Sequence, residues 1–334
     1  MSQGEFSLID NFFTKPQTNV RSEVLLAIGD DCAVIEPPVG YQLAITTDTM
    51  VENSHFYPDI DPKDLGYKAV ATNLSDLAAM GATPTWISLA LTLPKADEQW
   101  LAAFSEGMFE LLNEHQITLI GGDTTSGTVP SVTITAHGTL KNTTALCRHK
   151  AQAGDWIYVS GTIGDGLAGF YLLRELYQNG KGHKNLNEHQ AFLIRRNLHP
   201  TPRIALGKML AEQRLARAAL DLSDGLVGDL GHILDRSGVS AVLNLQDLPC
   251  SDALLALYGR EQAELMALQG GEDYELCFTV PDEKKAALTD YLSGLDVPCR
   301  CIGRIVARNP ARPIQYYRHG EPVDLTVSGF EHFK

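Results

Sequence analysis

The segment Ile28-Gly29-Asp30-Asp31-Cys32-Ala33-Val34-Ile35 places two adjacent carboxylates between two short apolar runs. These runs, residues 24–28 and 33–35, have the length and composition of β-strands. Glycine tolerates a positive φ, and aspartate hydrogen-bonds its own backbone in turns. The sequence therefore predicts a tight acidic turn that joins two strands.

Four other segments also end an apolar run in aspartate beside glycine, serine or threonine: Thr46-Thr47-Asp48-Thr49, Asn73-Leu74-Ser75-Asp76, Gly121-Gly122-Asp123-Thr124 and Asp221-Leu222-Ser223-Asp224. Any single one of them is typical of an ordinary turn. Together they gather hard oxygen ligands, which are the ligands that divalent cations such as Mg²⁺ prefer. The pattern therefore predicts a divalent-cation site built from acidic turns.

The length and composition predict a two-domain soluble protein. The chain has 334 residues, 44% of them hydrophobic and 20% charged. A basic and polar stretch at residues 141–154 predicts a boundary between domains 1–150 and 151–334. The first residues lack the pattern of a signal peptide, and no apolar run reaches the roughly 18 residues of a membrane span, so we expect a cytoplasmic protein. The six cysteines form no Cys-x-x-Cys pair and are expected to be reduced and mostly buried.

The charge of the chain limits its partners. A formal net charge of −14 argues against nucleic acid and anionic membranes, because both are bound through clustered lysine and arginine. A phosphate-bearing substrate is still compatible with this charge, since Mg²⁺ can lie between carboxylates and phosphates.

Hydrophobic periodicity predicts a mixed α/β order. Helical spacing is found at residues 7–13, 63–80, 97–115, 226–236 and 282–292, and this places Asp76 on a helix. Strand patterns occur at residues 42–47, 86–93, 117–120, 132–137, 156–160, 218–222, 239–245 and 274–280.

One generic motif points elsewhere. Gly164-Asp165-Gly166-Leu167-Ala168-Gly169 fits the G-x-G-x-x-G pattern of dinucleotide-binding proteins and lies between a strand and a helix. The second strand and its acidic residue are missing, so we interpret the motif as a close strand-to-helix turn. The Walker A pattern and the H-R-D and D-F-G motifs of protein kinases do not occur in the sequence.

Three single residues have both a structural and a functional interpretation. His55 could be a packed or solvated histidine, or a substrate contact one loop beyond an acidic turn. Arg148 could be a surface charge, or a guanidinium that grips phosphate oxygens in a bidentate manner. Glu272 could be structural, or could meet a cationic substrate.

The chain resembles the thiamine-monophosphate kinase family, which belongs to the aminoimidazole ribonucleotide synthetase-like superfamily. The resemblance covers nearly the whole chain and rests on motifs in a specific order: Gly29-Asp30-Asp31-Cys32-Ala33, Thr47-Asp48-Thr49, His55-Phe56, Asn73 to Ala82, Gly121-Gly122-Asp123-Thr124-Thr125, Asp221 to Leu226 and Gly270 to Glu275. It implies an N-terminal α/β domain that dimerises through its sheet and a C-terminal α+β domain. It also implies that the last step of thiamine diphosphate biosynthesis is catalysed here, by direct transfer of the ATP γ-phosphate to thiamine monophosphate.

The resemblance further implies the site residues. Magnesium would be bound by Asp31, Thr46, Thr47, Asp48, Asp76, Asp123, Asp221 and Asp224. ATP would be bound by Gly122, Asp123, Arg148 and Ser223, and thiamine monophosphate by His55, Glu272 and Phe330. No residue is assigned as a general base, because phosphoryl transfer depends mainly on positioning and charge neutralisation. The protein would be a homodimer.

Two alternatives of different kinds stay open at this point. One is another ATP-using enzyme of the superfamily, such as aminoimidazole ribonucleotide synthetase. The other is a non-catalytic sensor of nucleotides or divalent cations, which would bind ATP without turnover.

Overall fold

The computed structural model describes residues 5–142, 144–180 and 186–330. These residues form two compact units. The first unit runs to Leu77 and continues from Ala82 to Asn142, and the second contains Ala78–Gly81 together with the described residues from 144 onward. Among the described residues, no helix is both long and apolar enough to cross a lipid bilayer.

The first unit contains a hairpin and a four-stranded sheet. Its elements in chain order are α1 (Glu5–Ile9), a π-helical turn (Asp10–Thr14), β1 (Val24–Leu26), β2 (Val34–Ile35), β3 (Tyr41–Val51), α2 (Pro62–Ala79), β4 (Thr83–Leu93), α3 (Glu98–Glu114), β5 (Thr118–Ser126) and β6 (Ser131–Lys141). The two strands predicted on either side of the first acidic turn are present as β1 and β2, and they pair antiparallel. The sheet has the order β3-β6-β4-β5, in which β4 and β5 are parallel and the other neighbours antiparallel.

Helices α2 and α3 approach each other closely because glycine lies at their contact points. A Cβ on Gly66 would lie 2.1 Å from the carbonyl oxygen of Phe104, and one on Gly107 would lie 1.9 Å from that of Lys63. A larger residue could not occupy either position without moving a helix. The core of the unit is formed by fully buried residues of these helices and of the sheet, among them Leu74, Leu77, Ile87, Phe104, Met108 and Ile134.

Two acidic segments lie inside strands, so their prediction as turns was wrong. β3 continues beyond the predicted end at residue 47, because Thr47 and Thr49 pair with Thr135 and Thr133 of β6, with Oγ1–Oγ1 distances of 2.9 Å in both pairs. Residues 121–123 belong to β5, and Gly122 allows close packing against the neighbouring strand. A Cβ on Gly122 would lie 1.8 Å from the nearest carbonyl oxygen of β4.

The second unit is a seven-stranded sheet with helices on both faces. Its elements are a 3₁₀-helix (Arg148–Lys150), β7 (Trp156–Ser160), α4 (Asp165–Asn179), α5 (Glu188–Leu198), α6 (Ile204–Glu212), β8 (Ala218–Asp221), α7 (Leu226–Ser237), β9 (Ser240–Asn244), a 3₁₀-helix (Leu245–Asp247), α8 (Asp252–Gln269), β10 (Leu276–Val280), a 3₁₀-helix (Asp282–Lys284), α9 (Lys285–Leu292), β11 (Cys299–Val306), β12 (Ile314–Arg318) and β13 (Glu321–Val323). The strand order is β13-β12-β9-β11-β7-β10-β8, and β12 is parallel to β9 while the other neighbours are antiparallel.

Strand alternation divides the core of this unit into two layers. Leu220 and Cys277 pack into one hydrophobic cluster with α7 and α8. Ala219 and Phe278, their neighbours along β8 and β10, pack into the other with α6 and α9. Successive side chains of a strand point to opposite faces, so both faces of the sheet are covered. These observations confirm the predicted organisation of an α/β and an α+β domain.

Most predicted elements of the second unit are present, and β7 has the predicted bounds. Helix α8 was not predicted. Its first turn is capped by Ser251, whose Oγ accepts a hydrogen bond from the backbone N–H of Leu254 at 3.1 Å, and Gly259 with φ 72° interrupts its helical geometry. This interruption breaks the periodicity by which a helix is recognised in sequence.

All six cysteines are free thiols. Cys277 is buried, four others are half-buried and Cys32 is exposed, so the prediction that the thiols are mostly buried is confirmed only for Cys277. Burial raises the pKa of Cys250 to about 11 and that of Cys299 to about 12. These two thiols are therefore protonated near neutral pH and poor nucleophiles.

Candidate functional site

In the first unit, α2 brings Asp76 against strand β3. The Thr46 hydroxyl donates a hydrogen bond to the Asp76 carboxylate, and the backbone N–H of Asp48 donates to Asn73 Oδ1 at 3.2 Å. Residues two apart on a strand share a face, as do residues three apart on a helix. Thr46, Asp48 and Asp76 therefore form one half-buried polar group, and Asp76 lies on a helix as predicted.

Thr47 and Asp123 lie on the opposite face of this sheet. Asp123 of β5, Ala90 of β4, Thr133 of β6 and Thr49 of β3 lie in register across the sheet and so share a face. Thr47 is two residues from Thr49 on the same strand, and its side chain is therefore on this face as well. The exposed Asp31 and Asp123 line the same cavity of about 830 Å³, together with Gly122. The predicted metal ligands of this unit thus form two groups.

His55 lies just beyond the end of β3. Its Nδ1 accepts a hydrogen bond from the backbone N–H of Val51 at 3.1 Å, across a turn in which Asn53 has φ 65°. Because Nδ1 is an acceptor, the imidazole is a neutral tautomer with its proton on Nε2. His55 is half-buried, and its Nε2–H can act as a hydrogen-bond donor.

In the second unit, the acidic segment 221–224 is a turn between β8 and α7, as predicted. The buried Asp229, in the first turns of α7, accepts a hydrogen bond from the backbone N–H of Asp224 at 2.9 Å. Burial raises the pKa of Asp229 to about 7. The hydrogen bond from the Asp224 N–H and the charge of Arg148 oppose this rise in pKa, whereas the charge of Asp224 adds to it. Asp229 holds the turn in place, and it was missed in the sequence although it follows Asp224 by five residues.

A second loop is hydrogen-bonded to this acidic turn. The backbone N–H of Glu272 donates to the carbonyl of Ser223 at 3.0 Å, and that of Tyr274 donates to the carbonyl of Leu222 at 2.9 Å. A Cβ on Gly271 would lie 2.2 Å from the carbonyl oxygen of Ser223, so the close contact requires glycine. The Glu272 carboxylate accepts from Tyr274 OH at 3.3 Å and from Asn197 Nδ2 at 3.4 Å.

The end of the described chain also reaches the acidic turn. The backbone N–H of Phe330 donates to the carbonyl of Asp224 at 3.0 Å, and its ring is 55% exposed. A Cβ on Gly329 would lie 2.8 Å from the Cα of Gly228 in α7. Glycine at both positions lets the terminal segment lie directly on α7.

Arg148 lies on the 3₁₀-helix that packs against α7. Its carbonyl accepts a hydrogen bond from the hydroxyl of Ser237 at 2.8 Å, and its exposed guanidinium is near enough to favour the charged form of Asp229. The second unit therefore brings together six predicted site residues around one acidic turn: Arg148, Asp221, Ser223, Asp224, Glu272 and Phe330.

The glycine motif at residues 164–169 is the predicted strand-to-helix turn. The backbone N–H groups at the N-terminus of its helix already have a hydrogen-bond acceptor within the protein. The carboxylate of Asp273 accepts the backbone N–H groups of Gly164 at 2.6 Å and Gly166 at 2.8 Å, at the start of α4. The N–H groups at a helix N-terminus commonly bind an anionic ligand, and here their acceptor is a side chain of the protein itself. Burial raises the pKa of Asp273 well above its usual range, whereas the two N–H groups favour the charged form.

Predicted magnesium ligands occur in both units, with Asp221 and Asp224 in the second and the other six in the first. Among the residues that the structure describes, no three His, Cys, Asp or Glu side chains lie close enough to hold a metal by themselves. The donors are nevertheless carboxylates and threonine hydroxyls, the hard oxygen ligands that suit Mg²⁺. Their chemistry fits this ion, which usually keeps several waters and binds substrate phosphates as well.

Two family models match the chain. The model described as "AIR synthase related protein, N-terminal domain" matches residues 29–140, and "AIR synthase related protein, C-terminal domain" matches residues 152–314. Full-length relatives named thiamine-monophosphate kinase include the Haemophilus influenzae protein, 54% identical over 335 residues, with 100% of this chain and 99% of that protein covered. The Escherichia coli K12 protein is 50% identical over 333 residues, with the same coverage.

Solved structures agree with these matches. Thiamine-monophosphate kinase from Stenotrophomonas maltophilia has 44% identity and a TM-score of 0.84, covering 97% of this chain and 99% of that one. The structure described as AaThiL complexed with AMPPCP and TMP has 31% identity and a TM-score of 0.75, covering 100% and 99%. A hydrogenase maturation protein in complex with ATP shares the fold at 19% identity, with a TM-score of 0.76 and coverage of 99% and 96%.

Proposed function

Because this chain belongs to the thiamine-monophosphate kinase family of AIR synthase related proteins, we propose that it transfers the γ-phosphate of ATP to thiamine monophosphate. The products are ADP and thiamine diphosphate. The structural observation that carries the proposal is the convergence on one acidic turn of Ser223, Glu272 and Phe330, which the resemblance assigns to the two substrates. The related structure with an ATP analogue and TMP supports the same pair of substrates.

Binding of thiamine monophosphate needs a cation-binding end. Its thiazolium ring is positively charged, and a carboxylate or the face of an aromatic ring stabilises such a charge. Glu272 and the exposed ring of Phe330 are proposed to meet this end, with His55 donating from Nε2 as the third substrate contact.

Binding of ATP needs donors for the phosphates. We assign this role to the Arg148 guanidinium, the Ser223 hydroxyl and the backbone N–H groups of Gly122 and Asp123. A guanidinium fork matches phosphate oxygens in a bidentate manner, and backbone N–H groups add directional hydrogen bonds.

The chain's residues position the reacting groups and need not remove a proton. The acceptor is a phosphate oxygen that already carries negative charge near neutral pH, so no general base is required. In-line placement of this oxygen and stabilisation of charge on the transferring group supply most of the catalysis in phosphoryl transfer. We propose direct transfer without a phosphorylated enzyme.

The carboxylate and hydroxyl groups would hold magnesium. The proposed ligands are Asp31, Thr46, Thr47, Asp48, Asp76, Asp123, Asp221 and Asp224. Bound Mg²⁺ would neutralise phosphate charge, which lets two phosphorylated substrates approach a protein of formal net charge −14. The contact between the Thr46 hydroxyl and the Asp76 carboxylate supports this role, because it places two oxygen donors side by side.

The exposed face of the first unit supports a homodimer. β3 is an edge strand of its sheet, and its side chains Tyr41, Leu43 and Ile45 are 43%, 44% and 61% exposed. An exposed apolar row on an edge strand favours association with another sheet. Ile45→Arg should convert the dimer to a monomer in size-exclusion chromatography with light scattering. Phe192→Arg, at an exposed position of α5, should leave the protein dimeric. A monomeric wild type would contradict the dimer proposal.

We propose the cytoplasm as the site of action, because ATP is available there and the six free thiols suit a reducing compartment. The acidic charge supports the expectation that neither nucleic acid nor an anionic membrane is a partner.

A purified-enzyme assay with ATP and Mg²⁺ tests the proposed reaction. Thiamine, thiamine monophosphate and formylglycinamidine ribonucleotide are compared as second substrates. We expect turnover of thiamine monophosphate alone. Turnover of the purine precursor would instead indicate aminoimidazole ribonucleotide synthetase, and ATP binding without any product would indicate a sensor.

A further inference from the structure

Asp273 lies next to the proposed substrate residue Glu272 and has no role in the reaction described above. Its side chain is 1% exposed, and both carboxylate oxygens accept backbone N–H groups at the start of α4. The residues on either side, Glu272 and Tyr274, have φ of 73° and 52°. Non-glycine residues rarely adopt this left-handed conformation, which costs on the order of 1–3 kcal/mol at each position. Surrounding contacts must hold the loop in this shape.

The glycine motif forms the surface that receives this loop. A Cβ on Gly166 would lie 2.2 Å from the carbonyl oxygen of Glu272 and 2.9 Å from the backbone nitrogen of Asp273. Glycine is required here because the backbone of the loop lies directly on the first turn of α4. The motif therefore serves to dock an internal acidic loop where related motifs dock a phosphate.

The side chain of Glu272 is linked to helices α4 and α5. Asn197 of α5 donates from Nδ2 to the carbonyl of Gly166 at 3.0 Å and to the Glu272 carboxylate at 3.4 Å. Asn197 is itself 1% exposed, so it has little freedom to move. The backbone and the carboxylate of Glu272 are thus both fixed relative to the N-terminus of α4.

Further along the chain, Glu275 anchors the other side of the loop. It is fully buried, and it accepts hydrogen bonds from Arg196 Nη2 at 2.9 Å, from Arg203 Nε at 2.6 Å and from the Ser160 hydroxyl at 2.6 Å. Three acidic side chains, at positions 272, 273 and 275, therefore bind the loop to the α4–α6 region.

We propose that Asp273 is a positioning residue for recognition of the cationic end of thiamine monophosphate. Its carboxylate caps α4 and thereby holds the left-handed backbone that presents Glu272. Asp273 does not touch the substrate and acts through Glu272. The inference rests on the proposed function, because it takes Glu272 as a substrate contact.

Asp273→Asn is the direct test. An amide offers one oxygen in place of two, so one of the two buried N–H groups loses its acceptor and the loop is released. We expect the KM for thiamine monophosphate to rise about tenfold, with the KM for ATP changing less than about threefold. The matched control is Asp155→Asn. Asp155 is also a buried carboxylate that accepts a backbone N–H, from Gln152 at 2.9 Å. It directly precedes β7, whereas the loop contacts Ser160 at the end of this strand.

Gly166→Ala tests the same contact from the helix side without changing any charge. The added methyl group would displace the carbonyl of Glu272, so the same selective rise in KM is expected. Gly231→Ala in α7 is the control, since a Cβ there meets no atom within 4 Å. If Asp273→Asn does not fold, the proposal is tested by Gly166→Ala alone, through the same selective rise in the KM for thiamine monophosphate.

The double variant Asp273→Asn/Glu272→Gln separates positioning from general stability. If Asp273 acts through Glu272, the double variant should have the same KM for thiamine monophosphate as Glu272→Gln alone, because the two effects are not independent. The proposal would be overturned if the double variant showed the product of the two single-variant increases in KM. It would also be overturned if Asp273→Asn raised the KM for ATP and for thiamine monophosphate equally, or left the KM for thiamine monophosphate unchanged.

Hydrogen exchange separates this inference from the proposed function. In Asp273→Asn the amides of residues 272–274 should exchange faster than in Asp155→Asn, whatever the substrate is. If the wild type does not phosphorylate thiamine monophosphate, the proposed function is wrong. If exchange at these amides is unchanged in Asp273→Asn, the positioning role of Asp273 is wrong.

Discussion

The backbone N–H of Phe330 donates to the backbone carbonyl of Asp224 at 3.0 Å, which ties the end of the described chain to the acidic turn after β8. One carbonyl thus links a proposed metal ligand to a proposed substrate contact. The Phe330 ring is 55% exposed beside this turn. A side chain held by its backbone and still exposed is suited to contact a ligand.

Phe330→Ala should weaken the use of thiamine monophosphate much more than that of ATP. The aromatic face is proposed to stabilise the thiazolium cation, and loss of such a contact raises KM by roughly tenfold. Steady-state kinetics with each substrate varied in turn measures the two KM values. Phe192→Ala is the control, because this exposed phenylalanine of α5 has no proposed role. Equal changes in both KM values would count against the assignment.

Asp48→Asn and Asp224→Asn should each lower kcat/KM by about 10²–10³-fold, since each removes charge that is proposed to hold magnesium at the phosphates. Neither side chain is fully buried, so thermal unfolding should remain near that of the wild type. The control is Asp235→Asn, an exposed aspartate of α7. Activity is measured at saturating ATP and limiting Mg²⁺. Full turnover by both variants would make the metal assignment wrong.

NADH should show no saturable binding in a fluorescence titration. The N-terminus of α4, where a dinucleotide phosphate would lie, is occupied by the Asp273 carboxylate. Both amides already donate to Asp273, so neither is left to bind a phosphate. A micromolar complex that is displaced by NAD and not by ATP would contradict the interpretation of the glycine motif.

Asp229 should make the stability of the protein depend on pH. Burial raises its pKa to about 7 in the folded protein, against about 4 in the unfolded chain, so between these values the folded state holds a proton that the unfolded state releases. The stability contributed by this proton is present at low pH and is lost as pH rises through about 7. The side-chain amide of the variant Asp229→Asn would stay neutral throughout. This variant should therefore gain roughly 1–3 kcal/mol of unfolding free energy relative to the wild type between pH 5 and pH 8.

Denaturant unfolding in the presence of EDTA measures this difference without bound metal. Asp235→Asn again serves as the control, and its difference from the wild type should not change with pH. If Asp229→Asn differs from the wild type by the same amount at both pH values, the buried carboxyl does not titrate in this range.

The sequence predicted the turn at residues 221–224 correctly because β8 ends there and α7 begins, so strand periodicity stops beside the acid. It failed at residues 46–49 and 121–124, where acid, threonine and glycine continue a strand. Threonine suits β-structure, and its partners on β6 lie 84 and 88 residues away, outside any local pattern. At Gly122 the local pattern indicated a turn, whereas the structure uses glycine to avoid the backbone of β4.

Most of the predicted site residues came from the resemblance to a family, and six of them converge in the second unit. Asp229 and Asp273 were missed. Asp229 follows the predicted ligand Asp224 by five residues, and Asp273 directly follows the predicted substrate contact Glu272. An aspartate that holds a loop cannot be told from a solvent-exposed aspartate by sequence alone. Only the hydrogen bonds to the amides of Asp224, Gly164 and Gly166 distinguish them.

The fate of the γ-phosphate of ATP tests the central claim most directly. The purified protein is incubated with Mg²⁺, thiamine monophosphate and ATP labelled at the γ-phosphate, and the products are separated. We predict that the label is found in thiamine diphosphate, in amounts equal to the ADP formed. Label found only in inorganic phosphate, with no labelled thiamine diphosphate, would contradict the assignment of this chain as a kinase that acts on thiamine monophosphate.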